Sequence, residues 1–146
     1  MKENYIDTGK IRYVTLDLPL RNHPLAFKAA EATHCAQAQG KYHEMHDRLF
    51  AHQKALEPWS GHAEALGLDV DSFEACMSSG RFASGIRQDK AQADKVGITG
   101  TPTFVVTRTD PSDPKQVKGI TTIRGAQAYA KFKTELDKLL GDGDAE

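Results

Sequence analysis

The chain has 146 residues, with 19 Lys and Arg against 20 Asp and Glu and an isoelectric point near 6.6. That length fits one domain without metals or several disulfides, and the balanced charge leaves no footprint for sequence-independent binding to nucleic acid or to anionic membranes. No window reaches the apolar length of a membrane span, and MKENYIDTGK lacks the basic-then-apolar pattern of a signal peptide, so a soluble chain without an export address is expected.

In chain order, Lys10–Leu18 (KIRYVTLDL) is rich in β-formers and follows a turn signal at Asp7–Gly9. It stops at Pro19, which predicts a strand ending at Asp17 or Leu18. Asn22-His23-Pro24 offers a helix start, with Leu25, Ala29, Ala32 and Ala36 on one face and Gly40 as the stop. The next helix spaces Tyr42, Met45, Leu49 and Phe50 three and four apart as its apolar face, and Pro58-Trp59-Ser60-Gly61 breaks it. A short helix over Ala63–Leu66 follows, closed by Gly67. Asp71 as N-cap, with Glu74 as its capping-box partner, opens a helix through Phe73, Cys76 and Met77 that ends at Gly80. Arg81–Val96 is helical again, with Phe82, Ile86, Ala93 and Val96 as apolar contacts.

The rhythm changes at Gly97. Thr103–Thr107, a polar turn at Asp110–Pro114 and Gln116–Ile123 predict a β-hairpin. Gly125 precedes an amphipathic helix carrying Tyr129, Phe132, Leu136, Leu139 and Leu140, and the acidic tail GDGDAE should fray. Strand, helices, hairpin and helix together give an α/β class, read as a single domain over 1–146 with a helical insertion at about 22–97.

The residues with chemical potential are few. Cys35 and Cys76 lie 41 positions apart in the middles of predicted helices. Neither has the helix N-terminus whose aligned amides make a thiol a good nucleophile. A His34–Cys35 pair is unsuitable as well, because adjacent helical positions do not face each other. His43 and His46, with Asp47 nearby, have a spacing that would admit two zinc ligands. Met45, Leu49 and Phe50 claim the buried face there and no third ligand is evident, so no metal is assigned. Tyr42 and Trp59 read as packing residues, and Gln88–Lys95 as a solvated helix face.

Three stretches, RYVTLDLPLRNHPLAFKAAEATHCAQAQGKYHEMHDRLF, GITGTPTFVV and IRGAQAYAKFKTELDKLL, together resemble the DsbA-like branch of the thioredoxin superfamily over nearly the whole chain. The resemblance implies a thioredoxin-like α/β fold with an inserted helical subdomain, lacking the first central strand and the start of the first helix. Met1–Ile6 would be the last turn of that helix. The strand near Val14 would then lose its neighbour beside Thr103–Val106, at about 1–3 kcal/mol for each buried backbone group left unpaired. A truncated reading of a longer gene, a fragment completed by another chain, and a rearranged sheet are the three explanations, truncation being the simplest.

For the site, the resemblance singles out Gly100, Thr101 and Pro102. From the residues alone a trans Thr101–Pro102 bond is the reading, since only about 5–6% of such bonds are cis. The resemblance implies a cis bond, with the backbone of Thr101 pairing with an extended substrate peptide. It also implies a Cys-x-x-Cys pair that this chain does not contain, so no catalytic residue is assigned. Cys35 and Cys76 occupy places where some members carry a second, structural disulfide, which is the first choice. Two buried free thiols are the alternative.

The implied function is that of a protein thiol–disulfide oxidoreductase domain, inactive alone. A redox-dead peptide-binding module is the alternative. The implied partners are an extended peptide or cysteine-containing protein, a redox partner protein, and a second chain completing the sheet. No cofactor is expected, and a periplasmic or extracytoplasmic location is expected by resemblance.

Overall fold

The computed structural model describes residues 1–110, 112–113 and 116–141. The acidic tail beyond Gly141, and Pro111 and Pro114 of the polar turn, lie outside the described residues. Two compact units are present, one formed by Leu16–Gly97 and the other by Met1–Thr15 with the chain from Ile98 onward.

The Leu16–Gly97 unit is helical: α1 (Ala26–Gln37), α2 (Tyr42–Ala51), α3 (Trp59–Ala65), α4 (Val70–Ser79) and α5 (Ala83–Lys95). Helix α1 packs against α2, α4 and α5. Its contact face is built from Ala32, Cys35 and Ala36, all buried, and such small side chains let neighbouring helices approach closely. Met45 and Leu49 of α2, Ala63 of α3, Leu68, and Phe73 and Cys76 of α4 complete the core. Burying one Phe or Met side chain contributes about 1.5–3 kcal/mol, so Phe73 and Met45 are principal anchors.

Several boundaries differ from those read in the sequence. Helix α2 stops at Ala51, well before Pro58, and His52 Nδ1 sits 2.8 Å from the carbonyl oxygen of Arg48 at that end. Helix α3 begins at Trp59, so the residues read as a break form its first turn behind Pro58. The N-cap of α4 is Asp69 rather than Asp71. Asp69 Oδ1 accepts from the Ser72 N–H at 2.7 Å, and that bond holds its carboxyl below the usual range. Gln39 fixes the same corner, accepting from the Asp69 N–H at 2.9 Å and donating to the Asp69 carbonyl at 3.1 Å. Gly80 ends α4 in the left-handed region at φ 60°, where a side chain would be strained. Phe50 and Val96, read as apolar contacts, are instead 64% and 68% exposed.

The second unit starts with a π-helical turn over Lys2–Ile6 and holds one antiparallel sheet of β1 (Thr103–Thr109) and β2 (Val117–Arg124), followed by α6 (Tyr129–Gly141). Phe104 pairs with Ile123 and Val106 with Thr121, while Thr107 pairs with Gly119, leaving Ile120 as the extra residue of a bulge. Phe104 meets Phe132 of α6 edge to face at 4.8 Å, and Ile123 and Leu136 are buried. Tyr5, also buried, donates its hydroxyl to Asp137 Oδ1 at 2.5 Å, tying the first turn to α6.

The strand predicted over Lys10–Leu18 is not formed, and residues 11–20 carry no regular structure. Among the described residues no strand pairs with this segment, and a β-former cannot hold a strand without a ladder. Val14 and Leu16 are accordingly 61% and 64% exposed.

Candidate functional site

The loop of Gly100, Thr101 and Pro102 leads directly into β1 and is fastened on both sides of Thr101. Thr103 Oγ1 donates to the Gly100 carbonyl at 2.7 Å, and the N–H of Gly125 donates to the Pro102 carbonyl at 2.8 Å. Gly125 sits at φ 76°, a conformation that glycine adopts without strain and that aims its N–H back at the loop. The Thr101–Pro102 peptide bond is cis, as is Glu57–Pro58. Thr101 and Pro102 are exposed. Among the described residues neither backbone group of Thr101 has a hydrogen-bond partner, while its flanks are held. The arrangement presents one free N–H and one free C=O at the head of a strand, the groups that an added peptide strand uses.

Cys35 and Cys76 are joined by a disulfide with their Cα atoms 5.8 Å apart, linking the C-terminal halves of α1 and α4 inside the helical core. The alternative of two free thiols is thereby set aside. These are the chain's two cysteines, and neither offers a thiolate while the bridge is closed. The loop and the bridge belong to different units.

Beside the bridge the structure reveals a pair that the sequence reading missed. His34 Nε2 lies 2.6 Å from Asp17 Oδ2, and its Nδ1 lies 3.1 Å from Gln37 Oε1, so both ring nitrogens face oxygen atoms. The imidazole stacks on Phe82 at 5.2 Å, and the N–H of Asp17 donates to Asp89 Oδ2 at 3.1 Å. No local spacing signals a contact between a loop residue and a helix residue so far along the chain.

Two further buried polar groups are structural. His62 accepts from Arg48 Nε at Nδ1 and faces the Ala55 carbonyl through Nε2, both at 3.1 Å. Glu31 is buried one turn before Cys35, and its Oε2 lies 2.7 Å from Lys28 Nζ without a well-directed hydrogen bond. His46 pairs with Asp47 at 3.2 Å and the His43 ring rests against Tyr42. Among the described residues no three His, Cys, Asp or Glu side chains gather as a metal site.

Comparison with known proteins places these features. A profile described as Thioredoxin matches residues 1–123. The sodium/proton antiporter NhaA 3 of Salinispora tropica is 38% identical over 139 residues, 92% of this chain and 21% of that protein. NhaA 1 of Salinispora arenicola is 45% identical over 109 residues, 73% of this chain and 17% of that protein. The chain thus spans about a fifth of the length of these curated relatives. Among solved structures no match was found. With the profile covering most of its length, the chain belongs to the thioredoxin family.

Proposed function

We propose that this chain is a DsbA-like domain of the thiol–disulfide oxidoreductase class that docks an extended peptide at Gly100, Thr101 and Pro102. The observation carrying this reading is the free backbone of Thr101 on a loop whose neighbours are pinned by Thr103 and Gly125. A peptide lying antiparallel to Thr101 gains two main-chain hydrogen bonds and can continue along the edge of β1, where a strand from a second chain would complete the sheet. Exchange chemistry requires a thiolate from outside the residues present, because Cys35 and Cys76 are consumed by a buried bridge. That bridge favours an oxidising, extracytoplasmic compartment and a redox partner found there.

The same consumption of both cysteines favours a second reading, a peptide-binding module without redox turnover. The antiporter relatives are matched over about a fifth of their length, and among the described residues no helix is long and apolar enough to cross a membrane. Ion transport is accordingly no part of the function proposed.

The test is a titration of the isotope-labelled chain with an extended peptide bearing an alkylated cysteine. Shifts should appear at the amides of Gly100, Thr101 and Thr103, and Thr101→Pro, which removes the donor, should abolish them. Unmoved loop resonances at millimolar peptide would refute the docking site. Peptide binding combined with reduction of a test disulfide by the Cys35→Ser/Cys76→Ser chain would refute the assignment of the chemistry to an external thiolate.

A further inference from the structure

The helical unit carries an open surface cavity of about 610 Å³ where the turn before α3 meets α4, with four of its seven lining residues exposed. Trp59 and Met77, half-buried against the core, contribute apolar surface together with Pro58, and Glu57 and Glu74 contribute carboxylates. The other lining residues are serines, so no basic side chain neutralises the two acids. Among the described residues neither Glu57 nor Glu74 has an ion-pair or hydrogen-bond partner, whereas Glu31, Glu44 and Asp94 in the same unit are each paired with a lysine.

The indole is unpartnered too. Elsewhere in this unit two phenylalanine rings are covered by arginines, with the Arg81 guanidinium 4.8 Å from the Phe82 centroid and Arg87 5.7 Å from that of Phe27. Trp59, whose face attracts cations most strongly of the aromatic residues, has no such cover among the described residues.

We propose that this cavity binds an arginine side chain of a partner polypeptide. The planar guanidinium stacks on the Trp59 indole while donating to Glu57 and Glu74, and its aliphatic stem packs on Met77 and Pro58. An anion would be repelled by both carboxylates. Lysine is a poorer fit, because a compact and strongly hydrated ammonium neither stacks nor forks between two acceptors. The site is independent of the Thr101 loop.

Trp59 is the single tryptophan of the chain, so its fluorescence reports on this cavity alone. The whole chain is titrated with acetylated, amidated Gly-Arg-Gly, with its Gly-Lys-Gly counterpart and with tetramethylammonium chloride. A saturable change with the arginine peptide is expected, weaker with the lysine peptide and with added salt. Glu57→Gln and Glu74→Gln should each weaken it about tenfold. Both glutamates are exposed, so the variants should keep the fold, which circular dichroism checks. Amide shifts at Ser60 and Met77 in the unsubstituted chain supply a measurement independent of any variant. No saturable change up to about 10 mM peptide, equal response to tetramethylammonium, unchanged affinity in the double variant, or shifts confined to residues outside the cavity would each overturn the proposal.

Discussion

His34 holds Asp17 at 2.6 Å, with side chains only 24% and 12% exposed, and thereby fastens the irregular segment before α1 onto the helical unit. Water competes weakly for groups this sheltered, so the contact should matter more than one on the open surface. His34→Ala is expected to cost about 1–2 kcal/mol at neutral pH, read from urea unfolding. Amide exchange in residues 17–20 should accelerate together with that loss. Exchange unchanged in the variant would show that the segment is held by something else.

The disulfide predicts a larger effect. A closed loop of 41 residues corresponds to about 4 kcal/mol in the chain-entropy argument, and removal of native disulfides typically costs about 2–5 kcal/mol. The Cys35→Ala/Cys76→Ala chain should unfold at lower urea by that amount, and dithiothreitol should destabilise the parent chain but leave the double variant unaffected. A parent chain insensitive to the reductant, despite a demonstrably opened bridge, would contradict a structural role.

What the sequence disclosed follows the range of the physics involved. Helix identity and most core positions were legible, since Ala32, Ala36, Met45, Leu49, Phe73 and Ile86 recur at helical spacing and are buried. Phe50 was misread because spacing defines a stripe but not its edge, and one helical position past Leu49 turns the ring away from the core. Asp69 and Asp71 are both capping residues by type, and only the chain direction entering α4 decides between them. The segment around Val14 has the composition of a strand, but a strand is a property of a pair. At the candidate site, the free backbone of Thr101 leaves no mark in residue type and was reached only through resemblance, while Asp17 and His34 meet by tertiary folding alone.

Phe73 and Phe50 supply a contrast that tests this account of the core. Phe73 is fully buried between helices, so Phe73→Ala should lose about 3–5 kcal/mol. Phe50 is 64% exposed and touches the His46 ring at 4.7 Å, so Phe50→Ala should stay within about 0.5 kcal/mol. Comparable losses from the two variants, measured by thermal and urea unfolding, would mean that the buried face of α2 is wrongly placed.

Tyr5 and Asp137 make an alkaline prediction with a definite sign. The hydrogen bond to Asp137, then burial, then the carboxylate's charge push the Tyr5 phenol up to about 12 from 10.0. A folded-state value above the unfolded one means that this contribution to stability is complete below about pH 10 and is lost as pH rises toward 12. Asp137 behaves oppositely: Lys133 first, and then Tyr5, hold its carboxyl below the usual range. Its contribution is present above that range and is lost as pH falls through the folded-state value. Tyrosinate absorbance should therefore show one of the four tyrosines ionising late, and that late step should vanish in Tyr5→Phe. In the same variant the parent's extra loss of stability between pH 10 and 12 should disappear. A late step surviving the substitution would assign it to another tyrosine and detach the first turn from α6.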